Sequence, residues 1–279
     1  MLRIVTDGAA DMPDDWEEKY GIDIIPINIH FGDKTFLQFR DLDNAGFYKM
    51  VEEMGKVPKT SQPSPHQFTE FYQQIAQPGD TILSIHVTSK LSGTFDSAVT
   101  AAGELSGRYN IIPFDSACGS AGIGMMCREA RLMDLAGESI SLIMKRLESI
   151  RAMITITLAL DTLKYARLSG RVGALQAALA SALNVKPIIT LQQGMLQMTE
   201  RVRTRSASLD RIIKIVHEQF GNLPLQIAVV HAQDRESAET LIKKAKEVLK
   251  LRELILTELS ISVSANLGPG TVGIVAYSV

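Results

Sequence analysis

Cysteine is scarce in this chain. Cys118 and Cys127 are the two present, nine positions apart in a Gly- and Met-rich segment. That usage supports neither a disulfide scaffold nor a zinc site, and the expectation is a pair of buried thiols in a reducing cytoplasm. A charge excess of either sign is also lacking. Lys and Arg number 29 against 31 Asp and Glu, a net charge of −2, whereas non-specific nucleic-acid binding needs a basic surface. No apolar run approaches the ~20 residues that span a bilayer. The opening MLRIVTDGAAD turns acidic within seven residues, so it does not read as a signal peptide. The turn TSKLSGT (88–94) lacks the G-x-x-x-x-G-K-[ST] pattern of a nucleotide-binding loop, and TDGAAD (6–11) lacks G-x-G-x-x-G. No G-x-S-x-G nucleophile elbow occurs, and the five histidines show no metal-ligand spacing. The expectation is therefore no metal and no cofactor.

What is present suits a globular protein with a large core. Hydrophobic residues make up 46% and charged residues 22% of 279 positions, and that length favours two domains. The first half alternates apolar strand candidates at 2–6, 22–29, 81–87 and 111–114 with helical patterns at 47–54, 65–75, 95–105 and 124–136. Such alternation predicts βαβ units and a parallel sheet between helices. A helical segment at 139–152 leads into a second half of different grammar. There a strand at 153–160 precedes a helical stretch at 161–168 and a small-residue helix at 174–184. The segment 186–204 reads as a hairpin turning at Gln193-Gly194. Strands at 225–232, 254–259 and 271–277 and an amphipathic helix at 237–249 complete the pattern. The expectation is an α/β domain over 1–148 and an α+β domain with a mixed or antiparallel sheet over 149–279.

Two hydroxyl clusters carry the chemistry. Between the strand at 81–87 and its helix lie Thr88, Ser89, Ser92, Gly93 and Thr94, which bring small hydroxyls, free backbone N–H groups and a positive helix end together. The second cluster, PKTSQPSP (58–65), is expected in a loop held extended by Pro63 and Pro65. Such a site suits a small anion, phosphate or carboxylate. Helix capping alone also accounts for Ser92 and Gly93, and capping and anion binding are compatible. Asp7 and Asp11 could share a cation, although loop hydrogen bonding accounts for both. A Ser92–His86–Asp115 triad is conceivable from their places near strand ends, without specific support. The spacing of RVRTR (201–205) predicts Arg201, Arg203 and Arg205 on one face of a strand. That stripe is either a charged edge that blocks aggregation or a basic patch for an acidic partner.

Taken in order, TDGAAD, TSQPS, SKLSGTFDSA, FDSA at 114–117, LKYARLSGRVG, VKPIIT with QQGML, RVRTR and LGPGTVG resemble the DegV family nearly end to end. These are fatty-acid-binding proteins that serve as the FakB-like subunit of bacterial fatty acid kinase. The resemblance implies a two-domain DegV-like α/β fold with one long-chain fatty acid held between the domains. It also implies a partner, a dihydroxyacetone-kinase-like ATP-binding protein that phosphorylates the bound carboxylate, so this chain is a carrier and not itself an enzyme. Transient contact with a membrane surface is compatible with that role. Carried over by motif, Thr60, Ser61, Ser92, Gly93 and Asn266 meet the carboxylate, and Arg171 and Arg203 serve the head group or kinase docking. Two positions depart from the family pattern. Gly8 stands where T-D-S would supply a hydroxyl, and Asn266 stands where H-x-G-P-G would supply a histidine. Asn can still donate a hydrogen bond to a carboxylate, but it carries no charge. With the family in view, the small-residue segments 119–126 and 174–183 read as tunnel lining, where core packing is the alternative. Two rival functions remain at this level, a hydrolase or acyltransferase using Ser92 with His86 as base, and a binding module for a small phosphorylated metabolite.

Overall fold

A computed structural model of the chain describes residues 1–170 and 185–279. Strand β1 (Leu2–Asp7), helix α1 (Trp16–Tyr20) and strand β2 (Ile22–Ile25) open it. Pro26 ends β2, because it has no N–H to offer a ladder. The expected single strand at 22–29 is thus two. β3 (Asn28–Phe31) turns away to pair antiparallel with β4 (Lys34–Leu37) and β5 (Lys59–Ser61) in a small sheet that the residue pattern did not announce. Between β4 and β5 lies α2 (Asn44–Met54), capped by Asp43, whose Oδ1 accepts from Gly46 N at 2.7 Å.

Helix α3 (Pro65–Ile75) starts in a capping box, with Ser64 Oγ accepting from Gln67 N and Gln67 Oε1 accepting from Ser64 N. Its buried Phe68 and Tyr72 lie four apart, on one face. The chain continues through β6 (Thr81–His86), α4 (Thr94–Glu104), β7 (Asn110–Asp115) and α5 (Ala121–Leu135). β2, β1, β6 and β7 form, in that order, a fully parallel sheet, as the alternation predicts. Because the chain moves from β1 to one side and then to the other, the order reverses between β1 and β6. The loops after the strand ends at such a switch point are where ligands of open α/β sheets sit.

Helix α6 (Ile140–Met153) leads to β8 (Thr155–Ala159) and α7 (Lys164–Ser169). The expected small-residue helix at 174–184 and Arg171 lie outside the described residues. β9 (Lys186–Gln192) and β10 (Met195–Val202) make the expected hairpin, with positive φ at Gln193 (50°) and Gly194 (80°). The arginine stripe does not form: β10 ends at Val202 and α8 (Arg205–Phe220) begins at Arg205, with Thr204 accepting from Ala207 N as its cap. The cap terminates the strand before its period-two face can extend through Arg205. α8 itself has a clear signal in its buried Leu209, Ile212, Ile213, Val216 and Phe220, spaced at three and four. β11 (Leu225–His231), α9 (Arg235–Val248), β12 (Leu251–Glu258), the short α10 (Ile261–Leu267) and β13 (Val272–Ser278) follow. The six-stranded sheet runs β10-β9-β8-β13-β11-β12, antiparallel except for the parallel pair β11–β12, so it is mixed as anticipated.

The two large sheets share one core, with α5 packed between them. The same apolar cluster holds Ile4 of β1, Ile85 of β6, Ile123 and Met126 of α5, Leu158 of β8 and Val275 of β13. Of the segment 119–126 expected to line a tunnel, Gly119 and Ser120 do line a cavity, whereas 121–126 is core, because a helix covered on both sides is apolar all round. Cys118 and Cys127 are free and buried in this core, and burial pushes both thiols up to about 12. Among the described residues no helix is long and apolar enough to cross a membrane.

Candidate functional site

A cavity opens where the loops of the parallel sheet face the second sheet. The empty space there is about 820 Å³, part of it open to solvent. Its apolar wall comes from both halves: Ala9, Ile27, Val87 and Leu91 from the first, and Ile156 and Leu158 on β8, Leu191 on β9, Leu196 on β10 and Val263 and Leu267 of α10 from the second. Its polar lining comes mostly from first-half turns: Thr60 and Ser61 at the end of β5, Gln62 after it, Ser92 before α4 and Ser120 before α5. Ser262 and Asn266, one turn apart on α10, add a hydroxyl and an amide. No charged side chain is among its described lining residues. Thr60, Ser61, Ser92 and Asn266 are half-buried, Ser120 and Ser262 are buried, and Ile156, Leu158 and Leu191 are buried, so four of the polar groups keep some contact with solvent.

The two hydroxyl clusters thus meet, as their chemistry suggested. Thr60 and Ser61 sit on β5 and not in the expected loop, held by pairing with Ile29 and Asn28 of β3. Gly93 contributes space: a Cβ there would lie 2.6 Å from Gln62 Nε2, so a side chain would push the clusters apart. Ser92 Oγ lies 2.8 Å from Thr94 Oγ1 and accepts from Thr94 N at 3.3 Å, which orients it at the start of α4. Asn266 Nδ2 donates to the Ser262 carbonyl at 2.5 Å, leaving one amide hydrogen for another acceptor. At the other departure, Gln38 covers Gly8: a Cβ at Gly8 would lie 2.6 Å from Gln38 Oε1, and Gln38 Nε2 donates to the Gly8 carbonyl at 2.8 Å.

Arg203 is not brought to the cavity. Arg203 is exposed and outside its described lining, and Arg171 lies outside the described residues. Arg205 instead donates to the Gly270 carbonyl at 2.5 Å and pairs with Asp161 and Asp234 at 3.4 Å each, tying α8 to the LGPGT segment.

The conceivable triad is absent. His86 Nδ1 lies 3.0 Å from Asp7 Oδ2, which also accepts from Val87 N, and His86 Nε2 lies 2.6 Å from Ser84 Oγ, itself 2.8 Å from the Tyr72 hydroxyl. All four side chains are buried away from solvent. Asp115 instead accepts from Ser89 Oγ at 2.6 Å. The alternation along β6 decides this: His86 faces Asp7 and leaves Ser92 without a base. Asp7 and Asp11 each accept hydrogen bonds from their own loops and neighbours, and no cluster of three or more metal-ligand side chains occurs among the described residues. Asp11 accepts from Ser120 Oγ at 2.5 Å and from Ser260 N at 2.8 Å. Burial raises its carboxyl to about 6, and the hydrogen bonds from Ser120 and Ser260 hold it from going higher. Asp11 thus stands behind Ser120 at the cavity wall, joining a loop of the first half to the segment entering α10.

Sequence reading missed Gln62 and Ser262 as lining groups, and His30 beside Ser61. Gln62 was adjacent to a recognised motif. His30 had no local signal, because only the pairing of β3 with β5 brings it to Ser61.

Comparison with known proteins extends over the whole chain. The family model described as "Uncharacterised protein, DegV family" matches residues 1–279. A DegV domain-containing protein from Streptomyces coelicolor is 32% identical over 279 residues, covering 99% of this chain and 98% of the relative. Among solved structures, a DegV family protein from Thermus thermophilus described as binding fatty acid has 29% identity and a TM-score of 0.92, covering 100% of this chain and 99% of its own. DegV from Bacillus subtilis, described as a fatty acid binding protein, has 28% identity and a TM-score of 0.89 at the same coverage.

Proposed function

The chain belongs to the DegV family, and from that premise we propose that it binds one long-chain fatty acid, tail inward, in the cavity between the two sheets. The observation that carries this reading is the cavity's lining: aliphatic side chains together with uncharged hydroxyl and amide groups, and no charged side chain among the described residues. About fifteen methylenes at roughly 0.8 kcal/mol each contribute on the order of 10 kcal/mol gross. Each hydrogen bond to the carboxylate adds about 1–3 kcal/mol. The tail therefore sets affinity, while Thr60, Ser61, Ser92 and Asn266 set polarity, and Gly93 keeps the two hydroxyl turns in contact. Neutral donors also avoid leaving an unpaired buried cation when the cavity is empty.

The finer reading is that this chain is the carrier for a separate kinase in the cytoplasm, with a domain division near 148/149. Half-exposed head-group residues, which would leave the carboxylate within a partner's reach, support it, as does the absence of nucleotide-binding motifs from the sequence. Arg203, exposed beside α8, suits the docking of an acidic partner surface, and Arg171 keeps the role that its motif implies. The geometry does not favour the hydrolase alternative, since His86 is bonded to Asp7 and Ser84. Mass spectrometry of organic extracts from the purified protein tests the acyl reading. A bound fatty acid, or stoichiometric uptake of added fatty acid after delipidation, is expected, and neither being observed overturns it. Trapping of an acyl hydroxamate after incubation with ATP and a dihydroxyacetone-kinase-like protein tests the carrier role. Absence of the product with a kinase active on another DegV protein overturns that role alone.

A further inference from the structure

We propose that His30 is a positioning residue that holds the Ser61 hydroxyl as a proton donor toward the cavity. The assignment rests on the carboxylate reading above and names what orients one of its donors. β3 and β5 pair with Asn28 opposite Ser61 and His30 opposite Lys59, which makes His30 and Ser61 diagonal neighbours on one face of the small sheet. His30 Nε2 lies 2.8 Å from Ser61 Oγ, and Nδ1 lies 2.9 Å from Thr35 Oγ1. Ser61 also lines the cavity, so a three-membered chain, Thr35–His30–Ser61, runs from solvent to the head-group end.

A serine hydroxyl has one proton and two lone pairs. Were Nε2 an acceptor, that proton would point at the ring, and Ser61 would offer a carboxylate only lone pairs. With the hydrogen on Nε2, the ring donates to Ser61 Oγ and the hydroxyl proton is free for the ligand. Thr35 completes the arrangement by donating to Nδ1, which keeps the hydrogen on Nε2. In the imidazolium both nitrogens donate, and the Ser61 proton is again free. Every state that a bound carboxylate selects therefore has an N–H directed at Ser61. A ligand alcohol, able both to donate and to accept, is indifferent to this direction. His30 thus discriminates acid from alcohol without touching either.

The test is binding of hexadecanoic acid and hexadecan-1-ol to the delipidated full chain, as wild type, His30→Ala, His30→Gln and Ser61→Ala. His30→Ala is expected to weaken acid binding about tenfold, the effect of one hydrogen bond to a charged group, with the alcohol changed less than about twofold. His30→Gln, whose amide can donate in place of Nε2, restores the acid to within about threefold of wild type. In the Ser61→Ala background, His30→Ala has no further effect on the acid-to-alcohol ratio. An unchanged ratio in His30→Ala, a Gln variant no better than Ala, or a full effect of His30→Ala without Ser61 overturns the assignment alone. Wild type that binds neither probe overturns the acyl reading, and this assignment with it.

Discussion

The parallel sheet of the first half and the six-stranded sheet of the second face the same cavity and contribute to it in different ways. The parallel sheet presents the turns beyond its strand ends, where hydroxyls and helix starts gather beside Ala9, Val87 and Leu91. The second sheet presents the face of three antiparallel strands, with Ile156, Leu158, Leu191 and Leu196 and no turn apart from Gln193-Gly194. A turn can orient a polar group because its donors diverge from the ladder, whereas the face of β8, β9 and β10 offers the cavity aliphatic side chains. The difference is one of share: the first half supplies most of the polar lining and the second half most of the apolar lining, and the seam between them must hold both.

The largest expected effect comes from breaking that seam. The Gln193-Gly194 turn meets the first half where Thr88 Oγ1 donates to the Gly194 carbonyl at 3.3 Å and Lys90 Nζ to the Gln193 carbonyl at 2.8 Å. Gly194→Val places a β-branched residue at φ +80° with its Cβ driven into Thr88 Oγ1. Chemical denaturation should show a loss of about 4 kcal/mol, and acyl binding should fall with it. Val263→Trp sharpens the comparison by filling the apolar side while leaving the hydroxyls in place. Excluding three or four methylenes at roughly 0.8 kcal/mol each weakens binding by about 3 kcal/mol, more than a hundredfold by calorimetry, with shorter chains affected least.

Asp11 sits at the seam, joining Ser120 of the first half to Ser260 of the second, and its effect is on stability. Its folded carboxyl is raised to about 6 from 3.8, so folding favours its protonated form. That contribution is complete below about pH 4 and declines as pH rises through 6, by about 2–3 kcal/mol. Asp11→Asn should flatten stability between those limits in urea titrations, and an unchanged slope would contradict the assignment. The smallest effect is on orientation: Ser92→Ala should weaken fatty acid binding by about 1 kcal/mol, roughly fivefold, with the melting temperature unchanged. Equal losses for the acid and the corresponding alcohol would count against Ser92 as a head-group donor.

Much of this was legible in the residues because it is local. The 2.0 and 3.6 periodicities gave the parallel sheet and most helices, Gln193-Gly194 gave its hairpin turn, and the two hydroxyl turns stood out by composition. What escaped notice was either short or relational. β3, β4 and β5 are too brief for periodicity to register, and Pro26 split a strand that apolarity alone ran together. The arginine stripe failed because a threonine cap converted the end of a strand into a helix start. His86 was paired with the wrong carboxylate because its partner, Asp7, is 79 positions away.

The sequence by itself determined the family, the fold class and the kinds of group available: neutral hydroxyls in turns, and aliphatic residues in strands. Those follow from local preference and pattern, which act over a few residues. Only the tertiary structure decided that Thr60, Ser61, Ser92 and Asn266 share one cavity and that His30 stands behind Ser61. It also decided that His86 and Asp7 close on each other in the core. Strand register and sheet packing set these juxtapositions, because they bring residues tens to hundreds of positions apart within hydrogen-bonding distance.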